Sequence, residues 1–144
     1  MAKRRVVKGK TASRKRLASK AVGKKTEFHY IPWHTIDLED LNPLLQRQFV
    51  VGQNVMLARV LLKQGCVVPE HSHHNEQITF IAEGALKFWI NGKEIVVNAG
   101  EVLLIPPHMP HKAEALVDTV DFDVFYPPRT DWMNKTDKYL RGQK

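Results

Sequence analysis

One short segment decides how the rest of this chain is interpreted, and it reads Gly65-Cys-Val-Val-Pro-Glu-His71-Ser-His73-His-Asn-Glu-Gln77. Residues 71, 73 and 77 have the same parity, so on an extended strand their side chains point to one face. Further along the chain, Gly100-Glu-Val-Leu-Leu-Ile-Pro106-Pro-His-Met-Pro-His111 places another histidine after closely spaced prolines. Three imidazoles and an amide oxygen make a plausible ligand set for Mn, Fe, Co, Ni, Cu or Zn. We therefore predict a site for a divalent transition metal ion formed by His71, His73, Gln77 and His111.

The third ligand has an alternative in the same segment. Glu76 and His74 have the opposite parity to His71 and His73, which favours Gln77 over Glu76. A β-bulge near Asn75 would reverse that choice, because one inserted residue changes the face to which all later side chains point.

The sequence from Phe28 onward predicts an all-β domain. Short runs rich in apolar and β-branched residues recur about every ten residues, separated by glycine and proline, which is typical of a sandwich or barrel. Asn91-Gly92 predicts a type I′ hairpin, since both central residues of that turn need a positive φ. The segment Leu38 to Gln48, interrupted by Pro43, is the only one predicted to be helical. The predicted strands cover residues 49–51, 55–62, 77–81, 85–90, 94–97, 102–105, 111–116 and 120–125.

The charge of this 144-residue chain is concentrated at its N-terminus. Residues 1–26 contain 11 of the 22 lysines and arginines and none of the 15 acidic residues, so the remainder has a net charge of −4. This composition predicts a disordered basic tail. The tail is either simply solvated or makes weak contact with nucleic acid or another acidic partner; its arginine-rich, acid-free start is also similar to an organelle transit peptide. It contains no aromatic residue to stack on bases, so a specific nucleic-acid module is not expected.

Cysteine content and hydropathy favour a cytoplasmic protein. Cys66 is the single cysteine, which excludes an internal disulfide and is compatible with a reducing compartment. No run of 18 apolar residues predicts a membrane span, and the N-terminus lacks the apolar stretch of a secretory signal. We therefore expect no membrane partner.

The two histidine segments together resemble the motifs of the cupin superfamily. The first cupin motif is Gly-x5-His-x-His-x3,4-Glu-x6-Gly, and here it runs from Gly65 to Gly84 with Gln77 in place of glutamate. The second is Gly-x5-Pro-x-Gly-x2-His-x3-Asn, and here it runs from Gly100 to Ala115 with His108 in place of glycine and Ala115 in place of asparagine. The resemblance covers about residues 45 to 126. It implies an antiparallel double-stranded β-helix, or jelly-roll barrel, over residues 27–144, with the metal ligands pointing into the bore. It also favours a homodimer.

The C-terminal stretch resembles one subgroup, the KdgF-type cupins of pectin and alginate breakdown. Those enzymes carry Asp-x-Phe-x3-Arg near the C-terminus, matched here by Asp123, Phe125 and Arg129. They help to open 4,5-unsaturated uronates into linear 4-deoxy-5-keto acids. The resemblance implies that Asp123 is the catalytic acid or base, that Phe125 is a wall of the substrate pocket, and that Arg129 is a catalytic and substrate-binding residue that pairs with the substrate carboxylate. The competing interpretation is a structural salt bridge between Asp123 and Arg129.

Three functions remain open at this point. The first is a metal-dependent enzyme that acts on a small, anionic sugar acid. The second is an Fe(II)-dependent dioxygenase, which Gln77 disfavours because a neutral amide supports a higher oxidation state less well than a carboxylate does. The third is a non-catalytic, metal-bearing barrel that binds or senses a small ligand.

Overall fold

Between residues 27 and 142, the chain folds into ten β-strands in two antiparallel sheets. The computed structural model describes residues 27–142; the predicted basic tail at 1–26 lies outside them. Two 3-10 turns, Trp33–Thr35 and Lys138–Leu140, and one short helix, α1 (Thr130–Met133), complete the described elements. The strands are β1 (Glu39–Asn42), β2 (Leu45–Val51), β3 (Met56–Leu62), β4 (Val67–His71), β5 (Glu76–Glu83), β6 (Ala85–Ile90), β7 (Lys93–Asn98), β8 (Val102–Ile105), β9 (His111–Ala115) and β10 (Thr119–Tyr126).

The two sheets enclose one core, which confirms the predicted all-β jelly-roll barrel. The larger sheet has the order β1-β2-β3-β10-β5-β8, and the smaller has the order β4-β9-β6-β7. Burial alternates residue by residue along β3, β6 and β10, because successive side chains of a strand point to opposite faces. The apolar side chains of the inner faces, among them Met56, Ile81 and Phe125, form a single buried cluster.

The predicted helix over 38–48 is wrong, because β1 and β2 form a hairpin there. Asn42 makes the turn, with its Oδ1 accepting a hydrogen bond of 2.9 Å from the Leu44 backbone N–H. Leu45 and Arg47 of β2 are buried two residues apart, with the half-buried Gln46 between them, which is a strand period. The inward position of a charged arginine hid that period in the sequence. Strand β4 was also missed, because it is short and contains Pro69.

Two turns have the backbone conformation that the sequence predicts or requires. Asn91 and Gly92 have φ values of 51° and 70°, which confirms the predicted hairpin between β6 and β7. Gly84, with φ of 86°, joins β5 to β6, and a Cβ there would collide with the Asp118 carbonyl oxygen and with Thr119. Glycine is therefore required for both conformational and steric reasons where the chain passes from the larger sheet to the smaller.

Residues 129–141, here called the C-terminal strap, follow β10 and fold back onto the barrel. Trp132 packs edge-on against Phe125, with the ring centroids 5.0 Å apart. The buried Asp137 accepts a hydrogen bond of 2.7 Å from Arg47 Nη1, and Asn42 Nδ2 donates to the Leu140 carbonyl oxygen at 2.9 Å. The strap is therefore attached through side chains and does not join either sheet.

Between residues 27 and 142, none of the helices has the length and apolar character needed to cross a membrane.

Candidate metal centre

Three histidines converge at one end of the barrel. His71 is the last residue of β4 and His111 is the first of β9, and the antiparallel register pairs them directly. His73 follows in the turn between β4 and β5. Potential ligand atoms of the three side chains all lie within 4.8 Å of one another. The predicted convergence of these histidines on one point is confirmed.

The turn that carries His73 is anchored by Asn75, which is 1% exposed. Its Nδ2 donates to the carbonyl oxygens of Pro127 and Pro128, at 2.5 and 3.3 Å. These two hydrogen bonds hold the turn against the end of β10. His73 is thereby held beside the start of the strap.

Backbone carbonyl groups select the same tautomer in all three histidines. The Nδ1 atoms of His71, His73 and His111 lie 2.8, 3.0 and 2.8 Å from the carbonyl oxygens of Pro69, Asn75 and Met109. A carbonyl oxygen can only accept, so each Nδ1 carries the proton and each Nε2 has a free lone pair. Metal-binding histidines are oriented by the same kind of hydrogen bond on the ring nitrogen that does not bind the metal.

His111 Nε2 is buried and has no hydrogen-bond partner among the described residues. A buried polar atom without a partner is costly, and a bound cation would remove that cost. This unpartnered lone pair is the observation that most directly fits a metal ion.

Gln77 directs its amide oxygen toward the histidines. Its Nε2 donates to Thr79 Oγ1 at 2.9 Å and to Asp123 Oδ1 at 3.3 Å, which leaves Oε1 3.1 Å from His73 Nε2. A neutral His73 has only one ring proton and cannot donate to both Asn75 and Gln77. With the proton on Nδ1, the contact between His73 Nε2 and Gln77 Oε1 joins two acceptors. A cation held by these two atoms would satisfy both.

Gln77 and its neighbour Glu76 also differ in burial. Gln77 is 7% exposed, whereas the side chain of Glu76 is exposed on the outside of β5. No bulge exchanges the two positions, so Gln77 and not Glu76 faces the histidines.

The histidines are held neutral at physiological pH. Burial lowers the pKa of His71 to about 3, and the repulsion that a protonated His111 would exert acts in the same direction. Burial and the charge of Arg129 lower the pKa of His73 to about 4, and burial also lowers the pKa of His111. Because neutral imidazole is the metal-binding form, protons compete weakly for these nitrogens. Three such imidazoles and an amide oxygen fit a divalent transition metal ion.

Two buried carboxyl groups lie behind Gln77. Asp123 Oδ1 accepts hydrogen bonds from Thr79 Oγ1 at 2.6 Å and from Gln77 Nε2. Burial and the neighbouring Asp123 raise the pKa of Asp121 well above its ordinary value, and burial also raises the pKa of Asp123. Both burial and the neighbouring carboxyl raise the pKa of Asp121, so Asp121 holds a proton more strongly than Asp123 does. The sequence analysis did not select Asp121, although it has the same parity as Asp123 and Phe125.

Arg129 is almost fully buried, and its partner is Asp131. Its Nε and one Nη donate to the two carboxylate oxygens of Asp131 at 2.9 and 2.8 Å, and the same Nη lies 2.7 Å from the Tyr139 hydroxyl oxygen. The guanidinium also lies over the ring of Phe125, 5.0 Å from its centroid. The alternative of a salt bridge between Arg129 and Asp123 is therefore wrong.

Phe125 forms part of the wall of a small cavity beside the histidines. The cavity has a volume of about 50 Å³ and contacts both metal-binding and acidic side chains. Tyr139 of the strap also lines it; nothing in the sequence around Tyr139 indicated a place at the site. The relevant lining residues are His71, Gln77, His111, Asp121, Asp123, Phe125, Arg129 and Tyr139.

Comparisons with known proteins agree with the fold. The cupin domain family matches residues 58–125. An uncharacterized protein of Methanocaldococcus jannaschii, MJ1618, is 32% identical over 92 residues, which cover 62% of this chain and 74% of that protein.

Two solved structures are similar over most of their length. KdgF from Halomonas sp. superposes with a TM-score of 0.69 and 28% identity, covering 74% of this chain and 99% of that one. An RmlC-like cupin from Shewanella frigidimarina also has a TM-score of 0.69, with 25% identity and coverage of 74% and 96%.

Replacing His111 tests the metal centre. We expect His111→Ala to weaken Zn²⁺ or Co²⁺ binding by at least about 100-fold, since loss of an outer hydrogen-bond partner alone costs 10- to 100-fold. The measurement is competition with a chromophoric chelator, with His74→Ala as the matched control because His74 is exposed in the turn that carries His73. Equal affinity in the two variants would contradict the assignment of His111.

Replacing Asp121 tests the protonated carboxyl group. The native state keeps the Asp121 proton above the ordinary pKa of 3.8, whereas the unfolded chain loses it, so rising pH destabilises the wild type through this residue. Asparagine mimics the neutral acid and avoids that loss. We expect the unfolding free energy of Asp121→Asn, relative to wild type, to increase from pH 4 to pH 8 in urea titrations. A difference that stays constant with pH would mean that Asp121 is ionised in the native protein.

Proposed function

Since this chain belongs to the cupin superfamily and gathers three histidines inside its barrel, we propose that it is a metal-dependent enzyme acting on a small sugar acid. The observation that carries this proposal is the joint position of His71, His111, Gln77 and the buried Asp123 around one cavity. The similarity to a KdgF structure supports a uronate as the substrate.

The metal ion would be held by the Nε2 atoms of the three histidines and by Oε1 of Gln77. All four donors are neutral, so a divalent ion would keep its full charge and act as a Lewis acid toward a substrate oxygen. This donor set favours polarisation of an oxygen over oxidative chemistry, which makes the dioxygenase alternative less suitable.

The reaction we propose is the opening of a 4,5-unsaturated uronate ring. The bond between C1 and the ring oxygen breaks, C1 becomes an aldehyde, and the oxygen on C5 becomes a ketone as C4 gains a proton. The composition of the substrate does not change, because the proton gained at C4 replaces the one lost from the C1 hydroxyl. The chemistry therefore needs a group that moves a proton and an environment that binds an anion.

Asp123 is the group we assign to the proton transfer. Its buried carboxyl faces the cavity, receives hydrogen bonds from Thr79 and Gln77, and has the protonated Asp121 next to it. A pair of carboxyl groups that share a proton can hold or release one near neutral pH, as general acid–base catalysis requires. Phe125 forms the apolar wall beside it.

Arg129 is the residue we assign to the substrate carboxylate. Its positive charge is buried among aromatic rings, and its present partner Asp131 has a side chain that is 35% exposed. A substrate carboxylate would approach the guanidinium nitrogen that makes no hydrogen bond in the described part of the chain, or would replace Asp131 as the bidentate partner.

The test is the turnover of an unsaturated galacturonate monomer. Addition of the metal-loaded protein should accelerate the loss of ultraviolet absorbance from its conjugated alkene. We expect Asp123→Asn to lower kcat/KM by about 100-fold or more, the usual contribution of a general acid or base. Glu94→Gln is the control, because Glu94 is an exposed acid on the smaller sheet.

Two results would decide against the proposal. If the protein retains a metal ion but accelerates no loss of absorbance with any divalent metal, the non-catalytic binding or sensing function takes its place. If Asp123→Asn is as active as Glu94→Gln, Asp123 is not the proton-transferring group.

We also propose that the protein is a homodimer that uses the outer face of the larger sheet. Ile78 pairs with Leu104 and Phe80 with Val102 across β5 and β8, and these four side chains are 38–67% exposed. Contiguous apolar residues on an edge strand without a charged or proline residue usually indicate a covered surface. The basic composition of residues 1–26 does not complement such a surface, so a second copy is the better occupant.

Sedimentation velocity tests the dimer. Phe80→Glu should convert a dimeric wild type into a monomer, because the interface would bury two like charges near its two-fold axis. Val96→Glu is the control, since Val96 is 44% exposed on the smaller sheet. A monomeric wild type, or a dimer unaffected by Phe80→Glu, would contradict the assignment.

A further inference from the structure

The cavity beside the histidines is too small for the substrate class proposed above. Its volume of about 50 Å³ is enough for a metal ion and one or two water molecules. Pockets that bind small organic ligands usually have volumes of roughly 300 Å³ or more. Part of the lining must therefore move before a sugar acid can reach the metal centre.

Tyr139 occupies the space that such a ligand would need. Its ring is stacked on His71, with centroids 4.4 Å apart and planes inclined by 25°. Its hydroxyl oxygen accepts a hydrogen bond of 2.7 Å from Arg129, the residue assigned to the substrate carboxylate. The ring of Tyr139 lies flat against the predicted metal ligand His71, and its oxygen contacts the buried guanidinium of Arg129. A small cyclic acid bound in the same place is expected to make the same two contacts.

Tyr139 belongs to a part of the structure that lies outside both sheets. It lies in the 3-10 turn Lys138–Leu140 of the strap, beyond residue 125, where the match to the cupin domain family ends. The lining residues His71, Gln77, His111, Asp121, Asp123 and Phe125 lie in strands β4, β5, β9 and β10, each of which is hydrogen-bonded within a sheet, and Arg129 lies at the start of the strap. Moving the end of the strap, residues 138–141, therefore breaks no hydrogen bond of either sheet.

Ion pairs connect the end of the strap to the barrel. Arg141 contacts Glu39 at 2.6 Å and Asp137 at 2.9 Å, and Arg47 contacts the same two acids at 3.0 and 2.7 Å. The side chains of Glu39 and Arg141 are 22% and 17% exposed, so water can solvate these two groups when they separate. Removing Arg141 leaves both acids with Arg47 as a partner, and therefore weakens the attachment without leaving an unpaired buried charge.

We propose that Tyr139 is a further residue of the site and that the end of the strap, residues 138–141, is a lid over it: the ring must leave His71 and Arg129 before a small cyclic acid can reach the histidines. The identity of the ligand rests on the function proposed above. The existence of the lid does not, because it follows from the contacts of Tyr139 and from the size of the cavity.

Chemical labelling of the metal-free full-length protein tests the lid without any assay of activity. Diethyl pyrocarbonate modifies accessible neutral imidazoles, and peptide mass spectrometry gives a separate rate for each histidine. We expect Tyr139→Ala to raise the rate at His71, relative to the exposed His34, by about fivefold or more, because the reactivity of a covered group follows the population of open states. Tyr30→Ala is the control, since Tyr30 is 57% exposed.

A second variant removes the attachment and leaves Tyr139 in place. Arg141→Gln should raise the His71 rate about twofold or more through the same opening, whereas Lys87→Gln, which breaks the salt bridge of Lys87 with Glu94 on the smaller sheet, should leave it unchanged. An unchanged His71 rate in Tyr139→Ala would overturn the lid. An equal increase at all seven histidines would also overturn it, because it would indicate general loosening of the fold. A selective increase at His71 without uronate turnover would support the lid and contradict the proposed reaction instead.

Discussion

The antiparallel pairing of β4 with β9 is the constraint on which the candidate site depends. It places His71 opposite His111 and brings together two segments of sequence that are forty residues apart in the numbering. The carbonyl groups of Pro69 and Met109 then accept the Nδ1 protons of those same two rings. The backbone thus sets both the position of the imidazoles and the nitrogen that each presents to a ligand. No side chain outside the two strands is needed for that choice.

Gln77 connects the metal centre to the acidic part of the cavity. Its amide donates to Thr79 and Asp123, so its oxygen can only face the histidines. A glutamate here would bring a negative charge next to Asp123, which burial already disfavours in the charged form. The amide therefore suits a site in which a carboxyl pair keeps a proton and a metal ion keeps its charge.

Positive charge is concentrated on the other side of the cavity. Arg129 lowers the pKa of His71, His73 and His111 through its field, and it is stabilised by Asp131 and by the ring of Phe125. A buried guanidinium next to neutral imidazoles favours anions in the cavity and disfavours protons on the ligand nitrogens. Both effects suit a metal-dependent site for an acid. The strap contributes Asp131 and Tyr139, so it is part of this electrostatic arrangement as well as a cover.

The sequence by itself determined the all-β fold, the hairpin at Asn91-Gly92 and the three histidines, because each depends on local spacing or on a residue type with one conformational use. The parity argument for Gln77 assumed one continuous strand, whereas His71 ends β4, His73 lies in a turn, and only Gln77 is within β5. The inward position of Gln77 agrees with that argument, and its role as a metal ligand stays a prediction. Features that depend on contacts between distant segments were decided by the tertiary structure. The β1–β2 hairpin replaced a predicted helix because buried Arg47 finds Asp137 ninety residues away. Asp131 became the partner of Arg129, and Tyr139 came to lie on His71, because the strap folds back onto the barrel. Contacts of that kind depend on where distant segments meet in space, and no periodicity in the chain encodes them.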